Sequence, residues 1–368
     1  MRTGWRGSDA IGPAFAALYA GGFAISGYFQ LTAWRAVLIG AHHVAPITAL
    51  MLLAAVSLLA WVSLSARRAV WMSPARLAWH DSDDHRVVVL RRRLIAAWGW
   101  RVVAVSYMWT MAAALTQASS LVWTVGSAGG LVVAVIALLA LGPDRTARRA
   151  GRAELVDGWH RRTVRSVAAR YLDPMLLLEA ARPVGLSLAG ASILRYMTVE
   201  VAGRGHALLL AVLVLGVALV LLQLAPALPA SLVLAILGYL SLLPTSSGLA
   251  QLWHYPGLRR WTDASDLRLR GTAAATLAVP ALAWCAVAVL FGAPVAALAV
   301  APIIVAALVR TVTRPPPRYD VPSPVFLMIQ TMRGADLLML STTVLLLGLA
   351  PVITATVIVA LTASGILT

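Results

Sequence analysis

The sequence predicts an all-α, polytopic transmembrane helical bundle of about ten spans with a cytosolic N-terminus, and three observations predict it. Hydrophobic residues fill 60% of the 368 positions and charged ones only 12%, too few polar side chains to cover a soluble domain of this size. Apolar runs recur at the length that a hydrocarbon core of about 30 Å demands, roughly 20 residues per helix. The Arg residues, finally, fall in the breaks between those runs and on one side of them.

In chain order, Arg2 and Arg6 precede an apolar stretch that no small-residue cleavage pattern closes, so it reads as an uncleaved first span. Spans are expected at 11–31, 46–65, 95–115, 121–141, 206–224, 226–246, 271–291 and 295–311. Residues 337–367 are apolar throughout with Pro351 near the middle; two spans there make ten, and a single one makes nine. With the N-terminus inside, the cytosolic segments are 1–10, 66–94, 142–205, 247–270 and 312–336, holding two, seven, eleven, four and three Arg in that order. Arg35 alone stands in an external loop, Arg101 lies within the third span, and Arg310 sits at the inner end of the eighth. Short loops carry their basic excess on the cytoplasmic side, which rejects the inverted topology.

Four regions follow: a four-span unit 1–141 with the cytosolic loop 66–94, a cytosolic or interfacial segment 142–205, a second four-span unit 206–311 with the loop 247–270, and the Pro-rich link and last one or two spans, 312–368. The segment 142–205 is too short and too poor in core to be a catalytic domain. In it Val164, Val167, Ala168 and Tyr171 repeat at helical spacing opposite Arg161, Arg162, Arg165 and Arg170, the pattern of an interfacial helix. Asp173-Pro174 starts another short helix and Arg182-Pro183 stops it. Outside, only residues 32–45 give a loop any length, and Pro315-Pro316-Pro317 stiffens the link to the C-terminal spans.

The formal charge of +16 belongs to membrane topology and anionic lipid headgroups rather than to nucleic acid. All 30 basic residues are Arg, with no Lys and no Asn in the chain, the mark of a GC-rich genome. Without Lys there is no phosphate-binding G-x-x-x-x-G-K-[ST] loop, so any ATP dependence must come from a partner and no cofactor is expected in this chain. The single Cys285, inside an apolar run, excludes a disulfide within the chain and reads as a small buried hydrophobe. His42 and His43 are adjacent and point to different helix faces, poor geometry for a metal, and no H-E-x-x-H or G-x-S-x-G occurs. Every Asp and Glu lies in a cytosolic segment or at its border, so no mid-membrane carboxylate is present to couple an ion. Arg101 is the one charge well inside a span; it either snorkels back to the headgroups or serves as a cation in a substrate path. The thirteen Trp cluster toward the ends of apolar runs as interfacial anchors, and Gly126, Gly129 and Gly130 permit close helix approach.

Residues 66–94 stand out as the most charged hinge. Ser73-Pro74 starts a short helix that carries Arg76 and Trp79; an acidic turn of Asp81, Asp83 and Asp84 follows, and a new helix starts at Asp81 or Ser82 and runs through Arg91, Arg92 and Arg93. The W-x-D-x-x-D pattern of Trp79, Asp81 and Asp84 returns at Trp261, Asp263 and Asp266, each at the same place in its four-span unit, which points to a tandem duplication. Short helices inserted between spans, with neither a nucleotide site nor a catalytic set, resemble the membrane (permease) subunit of an ABC transporter of the ABC-2 exporter type. The chain is also similar to permease-like proteins of high-GC actinobacteria.

That resemblance implies that Ser73 to Asp84, and Trp261 to Asp266 if the duplication holds, dock a cytosolic ABC-type ATPase, which would hold ATP and Mg²⁺. It implies export of a hydrophobic or amphipathic compound across the plasma membrane, the inner membrane of a bacterium, by this chain alone or with a second permease copy. Such permeases have fewer spans per subunit than the ten expected here. Two other readings remain: a membrane-embedded enzyme for a lipid-linked substrate using Asp81, Asp83, Asp84 and His85 as a metal or acid/base cluster, and a membrane scaffold that transports nothing.

Overall fold

The structure, a computed structural model, describes residues 22, 25–40, 44–65, 70–79, 83–171, 192–262, 264–313 and 336. Among them all regular structure is helical. The first half holds α1 (Leu31–Leu38), α2 (Ile47–Ser65), α3 (Pro74–Trp79), α4 (Asp83–Leu115), α5 (Ser120–Leu141), α6 (Pro143–Arg149) and α7 (Arg152–Tyr171). The second holds α8 (Ile193–Ala202), α9 (Gly205–Leu224), α10 (Ala230–Leu242), α11 (Ser247–His254), α12 (Pro256–Thr262), α13 (Asp266–Leu290) and α14 (Val300–Val312).

Among the described residues six stretches are long and apolar enough to cross a membrane: Ile47–Leu64, Ser120–Arg149, Ala207–Leu224, Ala230–His254, Asp266–Leu290 and Val295–Val312. They match the expected spans at 46–65, 121–141, 206–224, 226–246, 271–291 and 295–311. Of the stretch 11–31 only a few residues are described, and residues 337–367 lie outside the described residues. In α5 only 6% of the apolar window is buried, and Leu131 and Leu139 stand exposed at 67% and 74%. A helix apolar on every face and open along most of its length suits lipid, not water.

Three expected boundaries change. The third expected span, 95–115, is the second half of α4, a helix of 33 residues. At 1.5 Å per residue it is about 50 Å long, well beyond a hydrocarbon core of about 30 Å. This helix is not among the six stretches apolar enough to cross a membrane, and its first turns, with Arg86 and Arg91 to Arg93, are too charged for an apolar layer. The span expected to end at 246 runs on through a 3₁₀ turn, Leu243–Ser246, into α11 and stops at His254. The loop expected at 32–45 is helical over α1, and its end is tied to the α9–α10 turn by the Ala227 N–H on the Leu38 carbonyl at 3.2 Å.

The largest core joins α8 to α14, with Leu234, Cys285, Ile304 and Ala307 fully buried. Gly238 is what lets α10 lie so close, since a Cβ there would stand 2.6 Å from Ile304 Cδ1 and 2.9 Å from Trp284 Nε1. Tyr239 and Thr311 share a hydrogen bond of 2.8 Å between their hydroxyls, satisfying both in that dry interior. A second core joins the halves: Val220 and Leu224 of α9 pack with Ala49, Leu52 and Leu53 of α2 and with Trp109, Ala112 and Ala113 of α4. At the chain's other end Arg310 pairs with Asp336 at 2.8 Å.

Glu200 on α8 is half-buried under α11, where Gly248 faces its Cβ. Burial raises its carboxyl above the ordinary value of 4.5, and Arg204 opposes the rise. A carboxyl with a raised folded pKa keeps its proton longer in the folded chain, so its contribution to stability falls as pH climbs from the ordinary value through the raised one. Glu200→Gln removes that slope. Between about pH 4 and 7, the thermal midpoint of the variant minus that of the natural chain is expected to grow with pH; a constant difference excludes Glu200 as the source.

Candidate functional site: an aromatic cavity joined to a clasped hinge

The hinge begins as the sequence reading expects. Ser73 Oγ accepts the Arg76 N–H at 3.4 Å as α3 opens on Pro74, and α4 opens at Asp83, so Asp83 and Asp84 of the expected acidic turn belong to its first helical turn. Asp81 and Asp263, and the side chains of Trp79, Asp83, Asp84 and Trp261, lie outside the described residues.

What holds the hinge is Trp71, which the sequence reading took, with the other Trp, as an interfacial anchor. The guanidinium of Arg93 lies 3.7 Å from its ring centroid and that of Arg162 lies 4.3 Å away. Trp159 stacks beside it at 5.3 Å, and Arg93 also donates to the Trp71 carbonyl. The Met72 N–H donates to the Leu155 carbonyl at 3.1 Å, so backbone as well as side chains binds α7 to the hinge. Underneath, Val70, Met72, Leu77, Leu90, Leu94 and Leu155 make a small separate core. Burial, then the charges of Arg76 and Arg162, hold the Arg93 pKa below its ordinary value. The expected interfacial helix thus spends its first turns clasping the hinge: Leu155 is fully buried, and of the face read as apolar Ala168 is buried while Val164 is exposed.

The second hinge repeats this chemistry. Trp253 carries the guanidiniums of Arg259 and Arg270 at 5.1 and 4.7 Å, Ser265 caps α13 by accepting the Arg268 N–H at 3.4 Å, and Arg259 pairs with Asp266. The sequences agree further than W-x-D-x-x-D. Trp71, Pro74, Trp79, Asp81, Asp84 and Arg86 correspond, at one constant offset, to Trp253, Pro256, Trp261, Asp263, Asp266 and Arg268.

Beyond the first hinge, α2, α4 and α5 border a half-open cavity of about 420 Å³. Trp61, Trp98, Trp109 and Trp123 line it with Arg101 and hydroxyls such as Ser57 and Ser127. Two indoles fasten α4 to α5 at its ends: Trp98 Nε1 donates to the Ala134 carbonyl at 3.1 Å and Trp109 Nε1 to Ser127 Oγ at 3.3 Å. Trp109 also packs against Trp123 at 5.8 Å. Arg101 donates to the Ala97 carbonyl, one turn nearer the hinge, at 2.7 Å and to Ser63 Oγ at 3.1 Å. Arg101 thus stands on the cavity wall with its guanidinium turned back along α4 toward the hinge.

These Trp were read as interfacial anchors, and that reading misses the cavity. A signal was present: Trp98, Arg101, Val102, Val105 and Trp109 fall at i, i+3, i+4, i+7 and i+11, one face of a helix. Apolar walls with a few convergent polar groups are the usual make-up of a small-molecule site. No protein family, curated protein or solved structure matches this chain.

Proposed function

We propose that this chain is the permease subunit of an ATP-driven exporter of ABC type. It takes a hydrophobic or amphipathic compound into the cavity between α2, α4 and α5 and is moved by a separate cytosolic ATPase that docks on the hinge. The observation that carries this reading is the continuity of α4. The same 33-residue helix opens in the hinge at Asp83 and supplies Trp98, Arg101 and Trp109 to the cavity wall. An α-helix is stiff over this length, so a push on its projecting end is felt at the cavity, the kind of rigid-element shift that switching proteins use.

The matched second hinge supports a tandem duplication, with Trp253 to Asp266 as a second docking element. In this reading Arg-rich segments face the cytosol, as the positive-inside bias requires, and the membrane is the bacterial plasma membrane. ATP and Mg²⁺ belong to the partner.

The test is to extract the tagged chain gently and ask whether an ATPase comes with it, then to repeat with Asp81→Ala and Asp84→Ala. We expect ATPase recovery from the natural chain and at least about tenfold weaker association of the double variant, a loss of about 1.4 kcal/mol. Extraction that never recovers an ATPase overturns the reading.

A further inference from the structure

A second, smaller cavity of about 210 Å³ lies between the first and the hinge. Its walls are Trp61 and Leu64 of α2, Val70 of the hinge, Leu94 of α4, Ala140 and Leu141 of α5, and Thr146 of α6. Trp61 and Leu64 line both cavities. Val70 and Leu94, on the hinge side, belong to the small core that holds α7 against the hinge.

We propose that the two cavities are consecutive chambers of one path, entered from the basic end and closed by the side chains of Trp61 and Leu64. Three features carry this. The same two side chains face both spaces, so they stand between the two cavities. Leu64 is 6% exposed and Trp61 is half-buried, as expected for a partition with void on either side and protein around its rim. The outer chamber is walled by hinge residues, so any displacement of the Trp71 clasp changes the shape of that chamber first. Trp is suited to the role, since its flat ring closes a wide opening and swings through two dihedral angles.

The occupant is the amphipathic compound of the preceding section, and the inference rests on that reading for what travels. The path itself does not depend on the ATPase. A compound that enters through the outer chamber comes from the cytosolic side, and Trp61 then discriminates by width.

The experiment reads the path without substrate or ATPase. Ser57, on the wall of the larger cavity, is changed to Cys in a Cys285→Ser background, since Cys285 is the only cysteine and is fully buried. Labelling by a membrane-impermeant maleimide is then timed in vesicles of either orientation. Trp61→Ala is expected to speed labelling about tenfold or more from the basic face, as an open state of roughly 1–10% occupancy becomes dominant, and to leave the opposite face unchanged. Leu64→Ala acts in the same direction, and Trp61→Phe stays near the starting rate, which separates loss of the partition from loss of fold. Unchanged labelling in both alanine variants, or equal acceleration from the two faces, overturns the proposal. If an ATPase co-purifies while labelling is unchanged, the exporter reading stands and the gate falls; the reverse pair of outcomes leaves a gated path with another driver.

Discussion

Gly158→Ala is expected to destabilise the purified protein by about 3 kcal/mol, the sum of an overpacking term and of partial exposure of Leu155. A Cβ at this position would stand 2.2 Å from the Val70 carbonyl oxygen and 3.1 Å from Trp71 Cβ. Both are fixed by the main chain, so no rotamer change relieves them and α7 must lift away from the hinge. Lifting it parts the Met72–Leu155 backbone bond, opens the Trp71–Trp159 stack and withdraws Arg162 from the Trp71 ring. The control is Gly151→Ala, where nothing lies within 4 Å of the new Cβ and no change is expected. Thermal midpoint in detergent checks the stability, and limited proteolysis checks that the hinge is where the chain opens. A Gly158→Ala protein as stable and as resistant as the Gly151→Ala control refutes the clasp.

Most of the helices were legible because their determinants are local. Apolar length placed six spans, and Ser73-Pro74 placed the start of α3. The errors have local causes too. Arg91, Arg92 and Arg93 were expected inside a helix opening at Asp81 or Ser82, and α4 does run through them, but the span expected to begin at 95 has no boundary of its own. The span was expected to end at 246 and the loop to start at 247. There Thr245 Oγ1 donates to the Leu242 carbonyl at 2.6 Å and Ser246 Oγ to the Leu243 carbonyl at 2.7 Å, so both hydroxyls are satisfied by backbone and stay buried as the helix continues.

The candidate site was far less legible, because it exists only between helices. Periodicity puts Trp98, Arg101 and Trp109 on one face of α4, but which helices that face meets is decided by packing across long stretches of chain. Trp71 shows the same limit. Its clasp needs Arg93 on α4 and Arg162 on α7, and neither spacing has a local signature. The matched Trp253 was the available hint, since a Trp that recurs in both hinges at the same spacing from Pro, Trp and Asp invites a comparison that a single hinge does not.

Gly126→Ala tests the cavity as Gly158→Ala tests the hinge. The new Cβ would lie 2.2 Å from Cζ2 and 2.6 Å from Cη2 of Trp109, a ring that is 5% exposed and fully enclosed by the second core. Unlike the Val70 carbonyl, this ring can rotate, and the cavity it lines offers it space to do so. Two outcomes compete, splaying of α4 from α5 or collapse of Trp109 into the cavity, and overpacking of this kind costs about 1–3 kcal/mol. Either one breaks the Trp109–Ser127 bond, so a shift in Trp fluorescence and a lowered thermal midpoint are expected. Gly129→Ala, on the same helix with nothing within 4 Å of its Cβ, is expected to leave both unchanged. The decisive comparison is binding of an amphipathic fluorescent probe to the two variants. Loss of cavity volume weakens it about tenfold in Gly126→Ala, or about 1.4 kcal/mol, whereas a probe held only by the lipid-facing surface of α5 binds both alike. The cavity is the compound's site only if the two variants part company.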